Sequence, residues 1–427
     1  MINDNDNIEN IENKEAPAAK KKESILDDGI VRNASYIMLA ICIFAIIWLS
    51  FQVILLSQYM FSRDSTLDNF EQAREIMEEI ANLYETQYIG EFANDVDNMD
   101  VAIQGFTVAY GDKYGYYLPP ASAADLADEQ AEKLVGIGVE VYKETGKGCY
   151  VIRLMKDSPA KDSGINVGDY IVGTDEVSAL DMDINEFIEY IRGESGTSVN
   201  VLVSDGDNLD DVRTVTVTRR DVVNESVYST IVGDTAIVKI RQFTEKTDDE
   251  FKAELTSLKE QGFEKYIFDL RENTGGLADS VIDMLDFILP SCTIAEFRAK
   301  NPKDNVTYTS DKNSFEGNFA VIVNGNTASA SELFSQVLQD YELATVIGTK
   351  TYGKGTVLST YQLSNGGTVT LSTAKYYTPS GNEIEGVGVT PDEIVELTEE
   401  NLKNFYKLKP TEDPQICKAL DVLESVY

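Results

Sequence analysis

Phe319-Ala320-Val321-Ile322-Val323-Asn324-Gly325-Asn326-Thr327-Ala328-Ser329-Ala330-Ser331-Glu332-Leu333-Phe334 decides the fold. Five consecutive apolar residues, Phe319 to Val323, read as a strand buried on both faces. A short polar turn follows. Leu333, Phe334, Val337 and Leu338 then recur at helical spacing. The same alternation extends outward. Ala236 to Ile240 reads as a strand, and Phe251, Leu255 and Leu258 mark a helix after Thr247-Asp248. Tyr266 to Leu270 is a second buried strand, and Val281, Ile282, Leu285 and Ile288 mark the next helix. Thr345 to Ile347 adds another strand. Strands alternating with helices predict an α/β core of βαβ units, with its chemistry at the carboxyl ends of the strands.

Ser329 falls where that chemistry belongs, between a strand and a helix start. The chain has no histidine, so a Ser-His-Asp mechanism and any imidazole metal site are excluded. A serine nucleophile then needs another base. Lys354, in Thr351-Tyr352-Gly353-Lys354-Gly355-Thr356, is the candidate. A lysine amine becomes a base when burial lowers its pKa. Small neighbours Ala328 and Ala330 admit a substrate backbone. Unpaired N–H groups at the helix start suit a developing oxyanion. Gly275 and Gly276, beyond the strand Tyr266–Leu270, offer further backbone donors. The competing structural readings are small-residue helix packing with N-capping for the Ala-Ser-Ala-Ser run, and an ordinary surface lysine for Lys354. Ser331 and Glu332 fit capping better than Ser329 does.

The net charge of −37 over 427 residues argues against nucleic acid as a partner. Cys42, Cys149, Cys292 and Cys417 form no C-x-x-C pair, which disfavours zinc and thioredoxin readings and a disulfide-dependent fold. No cofactor is implied. From Tyr36 to Leu56 the chain is almost wholly apolar, long enough to cross a hydrocarbon core of roughly 30 Å. A poor cleavage site follows, which favours an uncleaved anchor over a signal peptide. Lys20-Lys21-Lys22 and Arg32 precede the run, so positive-inside bias places residues 1–33 in the cytoplasm as a disordered tail. Residues 34–57 are expected to form a single transmembrane helix, with the remainder extracytoplasmic. Residues 66–133 form a helical region. Within it, Phe70, Ala73, Ile76, Met77, Ile80, Ala81 and Tyr84 read either as a helix packing on its own domain or as a dimer arm. Asp413-Pro414 starts a C-terminal helical segment in 396–427, with Ile416, Leu420 and Leu423 on one face, a second candidate for that homodimer arm.

Residues 134–222 read as a β-rich module. Gly136-Ile137-Gly138-Val139 is a glycine turn feeding a strand through Val141. Ser158-Pro159-Ala160, Ser163-Gly164-Ile165 and Val167-Gly168-Asp169-Tyr170-Ile171 follow in order. This series resembles a PDZ domain, whose turn N–H groups bind a peptide's C-terminal carboxylate while the adjoining strand pairs with the peptide backbone. The plainer reading is that the glycines only permit a tight turn.

The exterior portion, about residues 66 to 427, resembles the C-terminal processing peptidases, or tail-specific proteases. Matching segments include Ile267-Phe268-Asp269-Leu270-Arg271-Glu272-Asn273-Thr274-Gly275-Gly276, Thr327 to Glu332, Gly348 to Gly355, Thr373 to Gly381 and Gly386-Val387-Gly388-Val389-Thr390-Pro391-Asp392. The resemblance implies a Ser-Lys endopeptidase core over 223–395 with an inserted PDZ domain. It maps the nucleophile to Ser329, the base to Lys354, and the oxyanion donors to the backbone of Gly275 or Gly276 and Ala330. Its substrates would be proteins with accessible C-terminal tails. Three positions depart from the family pattern. The glutamine usual four residues after the lysine is Leu358, which cannot hydrogen-bond the amine, and Gln362 is the nearest substitute. Asn-Pro-Gly-Gly is Asn273-Thr274-Gly275-Gly276. Asp-Pro-His-Ser is Asp112-Lys113-Tyr114-Gly115. Three readings stay open: an active membrane-anchored endopeptidase using a Ser-Lys dyad, a peptide-binding surface protein without turnover, and a scaffold that recruits partners through its PDZ domain.

Overall fold

The computed structural model describes residues 70–83, 86, 98–124, 133–206, 209 and 211–425. Contacts divide the chain into two units, 1–95 and 96–427. The expected transmembrane helix over 34–57 and the tail 1–33 lie outside the described residues. Among the described residues no helix is long and apolar enough to cross a membrane.

In the first unit, residues 70–83 are helical. In the second unit, a six-stranded sheet carries the core. Its strands in chain order are β1 (Val227–Val232), β2 (Thr235–Ile240), β3 (Lys265–Asp269), β4 (Asn318–Val323), β5 (Ala344–Gly348) and β6 (Glu393–Ile394). They lie side by side as β6-β5-β4-β3-β2-β1. All neighbours are parallel except β1 against β2. The parallel pairs follow from the helical crossovers α1 (Thr247–Glu260) between β2 and β3 and α3 (Ala330–Asp340) between β4 and β5. Helix α2 (Ala278–Ile288) follows β3.

The strand residues divide by parity. Ala236, Val238, Ile240, Tyr266, Phe268, Phe319, Val321 and Val323 face a large cluster with α1, α2 and α3. Ile237, Ile267, Ala320, Ile322 and Ile347 face the other side, where Ile416, Ala419 and Leu423 of α4 (Pro414–Ser425) cover them. The continuous apolar runs are thus explained by a sheet buried on both faces. The C-terminal helix seals its own sheet, which corrects its reading as part of a dimer arm. Its apolar stripe is consumed by the second sheet face.

A second, five-stranded sheet contains Thr293–Ala299, Val306–Thr309, the hairpin Thr356–Gln362 and Thr368–Tyr377, and Tyr116–Leu118. That last strand pairs antiparallel with Thr368–Tyr377, Tyr117 opposite Val369. The expected helical region 66–133 is therefore mixed: Asn98–Ala109 is a helix, and Tyr116-Tyr117-Leu118 adds an edge strand. The β-rich module is a five-stranded antiparallel sheet led by Val139–Glu144, an edge strand, with the helix Ile184–Ile191 alongside in sequence. Lys133–Gly136 and Arg220–Val223 pair where the chain enters and leaves it. Among the described residues Cys149, Cys292 and Cys417 are free thiols.

Candidate active site

Ser329 sits at the N-cap of α3 with φ 58° and ψ −119°. A side chain rarely adopts this conformation, and it costs about 1–3 kcal/mol outside glycine. The strain persists because the surroundings fix the backbone from several directions. Ala328 N–H donates to the Asn273 carbonyl at 3.0 Å, and Ser331 Oγ donates to the same oxygen at 3.0 Å. Asn273 is itself fully buried. Its Nδ2 donates to Ile240 O at 2.9 Å, and its Oδ1 accepts from Gly275 N–H at 2.9 Å. The loop after β3 is thereby locked against the start of α3.

Lys354 lies half-buried in the turn before strand Thr356–Gln362. One buried carboxylate joins this turn to the serine. Glu332 Oε2 accepts from Ser329 N–H and from Lys354 N–H, both at 2.8 Å. Its Oε1 accepts from Gly353 N–H at 2.7 Å and from the Thr351 hydroxyl. On the carbonyl side, the buried Tyr376 hydroxyl reaches Ser329 O at 2.9 Å and also Lys354 O. So both peptide units of the serine and the lysine are tied, N–H to N–H and C=O to C=O, through two side chains. Burial pushes the Glu332 carboxyl above its usual range, opposed by those four donors. Burial likewise lowers the Lys354 amine below an ordinary lysine, opposed by Glu385 and Glu332.

Ser329, Lys354, Gly276, Ala330 and Leu358 line one cleft of about 880 Å³ that extends to Glu140 on the edge strand of the β-rich module. Gly275 has φ 102°, and a Cβ there would lie 2.8 Å from Ser329 Cβ. Its N–H is engaged by Asn273, so the structure removes Gly275 from the candidate oxyanion donors. Among the described residues, the N–H groups of Gly276 and Ala330 have no partner in the backbone or side chains. At the expected peptide-binding turn, Gly138 has φ 72°, and a Cβ there would meet Ser158 Cα at 3.0 Å. The carbonyls of Ile137 and Gly138 accept from Ala160 and Met155 N–H, which turns them away from a ligand. Gly136 and Val139 flank this turn at the ends of their strands.

Leu358 occupies strand Thr356–Gln362 opposite Ser372 and presents only hydrocarbon to the cleft. Gln362 does not replace it. It is exposed at the far end of the hairpin, where Nε2 donates to Gly366 O at 3.0 Å. The buried Thr356 Oγ, on the cleft wall, has no hydrogen-bond partner. Sequence reading reaches Glu332 only as a capping residue beside Ser331, and it does not reach Asn273 or Tyr376. The structure corrects the cap: Ser329 is the N-cap, Ser331 lies inside α3, and Glu332 stands at the third helical position of a capping box. Among the described residues no cluster of cysteine and carboxylate side chains can hold a metal ion.

The chain is similar to known proteins over most of its length. The peptidase family S41 profile matches residues 234–395, and a PDZ domain profile matches residues 125–204. A carboxy-terminal-processing protease of Bartonella bacilliformis is 30% identical over 362 residues, covering 82% of this chain and 81% of its own. A carboxyl-terminal-processing protease of Synechocystis is 29% identical over 331 residues, covering 75% of this chain and 76% of its own. In fold, the chain is similar to a crystal structure assigned to an S41 protease of Bacteroides fragilis, with a TM-score of 0.58 at 14% identity, covering 81% of this chain and 94% of that one. The chain belongs to peptidase family S41, the carboxy-terminal-processing serine proteases, and carries a PDZ domain.

Proposed function

We propose that the chain is a membrane-anchored endopeptidase in which Ser329 is the nucleophile and Lys354 the general base. The neutral Lys354 amine takes the Ser329 Oγ proton as oxygen attacks the scissile carbonyl. The resulting ammonium returns that proton to the leaving amine. Lys354 then deprotonates the water that releases the acyl group. The Gly276 and Ala330 N–H groups receive the oxyanion at the positive end of α3. The observation that carries this reading is the double tie between Ser329 and Lys354 through Glu332 and Tyr376. It fixes the turn after β4 against the turn that leads from β5 into the second sheet, without using either reactive atom.

The PDZ domain takes the substrate tail along its edge strand, and the cleft's extension to Glu140 supports delivery from there. The apolar run Tyr36–Leu56 anchors the chain with its peptidase outside the cytoplasm. Helix 70–83, with Phe70, Ile76, Met77, Ile80 and Leu83 exposed, is the arm through which two copies would associate. The test is cleavage of an unstructured protein by wild type, Ser329→Ala and Leu358→Gln side by side. Cleavage by wild type and none by Ser329→Ala is expected, and equal rates in the two would refute the assignment.

Leu358 favours a second reading, a peptide-binding homologue without turnover. That reading predicts tail-peptide binding with no Ser329-dependent cleavage, and any such cleavage rules it out.

A further inference from the structure

The turn Asp112–Gly115 is distant in sequence from the site but is pinned against it. Asp112 Oδ2 and Oδ1 accept from the N–H and hydroxyl of Ser372, each at 2.7 Å. Asp112 Oδ1 also accepts from Tyr114 N–H at 3.1 Å, and a Cβ on Gly115 would stand 2.8 Å from Oδ2. This rigid turn sets the Tyr114 ring beside the candidate base: Lys354 Nζ is 5.0 Å from the ring centroid. The Tyr114 hydroxyl accepts from Lys113 Nζ at 2.9 Å and donates to Glu385 Oε1 at 3.2 Å. Glu385 Oε2 in turn accepts from the N–H of Gly355, the residue after Lys354, at 2.8 Å. The ring and the lysine's own backbone are therefore held by one carboxylate.

We propose that Tyr114 is the positioning residue of Lys354, its ring holding the ammonium that forms when Lys354 has taken the Ser329 proton. The proposal rests on the reading of Ser329 and Lys354 as nucleophile and base. A ring face attracts a cation through its quadrupole and needs no hydrogen-bonding atom. It can thus orient the amine where Leu358 offers nothing. It favours the charged amine over the neutral one, so it acts most strongly after proton transfer. The other charged and titratable groups around Lys354 are Glu332 of α3, Glu385, Lys113, whose Nζ lies 4.7 Å from the same Tyr114 ring centroid, Tyr352 in the same turn, and Tyr376, whose hydroxyl reaches the Lys354 carbonyl.

The ring raises the Lys354 pKa, and the base works when neutral, so activity climbs as pH rises through that pKa. In Tyr114→Leu the pKa falls, the ascending limb of kcat/KM moves to lower pH by about half a unit, and the plateau kcat drops about tenfold. Tyr114→Phe keeps the ring and should match wild type in both within about twofold. Acetylation of Lys354 against pH, read by mass spectrometry, gives the same midpoint without requiring hydrolysis. A Tyr114→Leu midpoint equal to wild type overturns the proposal, as does a Tyr114→Phe shift as large as that of Tyr114→Leu. Absence of Ser329-dependent cleavage in wild type overturns the catalytic reading instead. The acetylation midpoints still decide whether the ring holds the ammonium.

Discussion

Glu332→Gln tests the joint between the proposed nucleophile and base. The carboxylate receives four donors, two on each oxygen. An amide keeps one acceptor oxygen. Its NH2 group must then face either the Ser329 and Lys354 N–H groups or the Thr351 and Gly353 donors. Two hydrogen bonds to a charged acceptor are lost at about 1.5–3 kcal/mol each, or about 3–6 kcal/mol together. Removing a buried charge offsets part of this, as the upward displacement of the Glu332 pKa indicates. The lower end, about 3 kcal/mol, is the expected loss in urea unfolding followed by circular dichroism. Because both residues of the proposed Ser329–Lys354 pair hang on this carboxylate, kcat/KM for an unstructured protein substrate should fall about a hundredfold. A Gln variant within about 1 kcal/mol of wild type and equally active would refute the claim that Glu332 sets the site's geometry.

Two further substitutions separate strain from chemistry. Ser329→Gly removes side-chain strain at φ 58° worth about 1–3 kcal/mol and adds an unfolded-state cost of about 0.5–1 kcal/mol. It should be inactive yet about 1 kcal/mol more stable than Ser329→Ala in the same unfolding assay, and the opposite order would remove the strain argument. Thr356→Val replaces a buried, unpartnered hydroxyl with a methyl of similar shape and should stabilise by about 1 kcal/mol. A loss of that size would show that the hydroxyl has a partner in solution.

The fold was legible because its signals are local. Phe319 to Val323 and Tyr266 to Leu270 are apolar at every position, which only a doubly covered strand needs, and the helix stripes follow each strand in order. Ser329 was legible as a residue at a strand-to-helix junction, and Leu358 as hydrocarbon where an amide was expected. The C-terminal stripe of Ile416, Leu420 and Leu423 is visible in the sequence but not its partner, since any apolar surface would satisfy it; in the structure Ile416, Ala419 and Leu423 are the buried members and Leu420 is partly buried. Tyr116-Tyr117-Leu118 was too short to separate from its helical surroundings. Gln362 is the nearest glutamine in sequence to Leu358, but the hairpin places it at the end away from Lys354.

The sequence by itself determined the βαβ order, the PDZ-like module, the absence of imidazole chemistry and the identity of the two reactive candidates. These depend on periodicity, composition and short motifs. Tertiary structure decided which groups serve them. Gly275 N–H is taken by Asn273, which leaves Gly276 and Ala330 N–H as the donors of the proposed mechanism. Glu332 and Tyr376 bind the serine and lysine turns together, and Tyr114 arrives from far upstream to meet Lys354. The physical reason is common to all three. A polar side chain is specified by the donor or cation it meets, and here that partner lies across a sheet, a turn or hundreds of residues of chain.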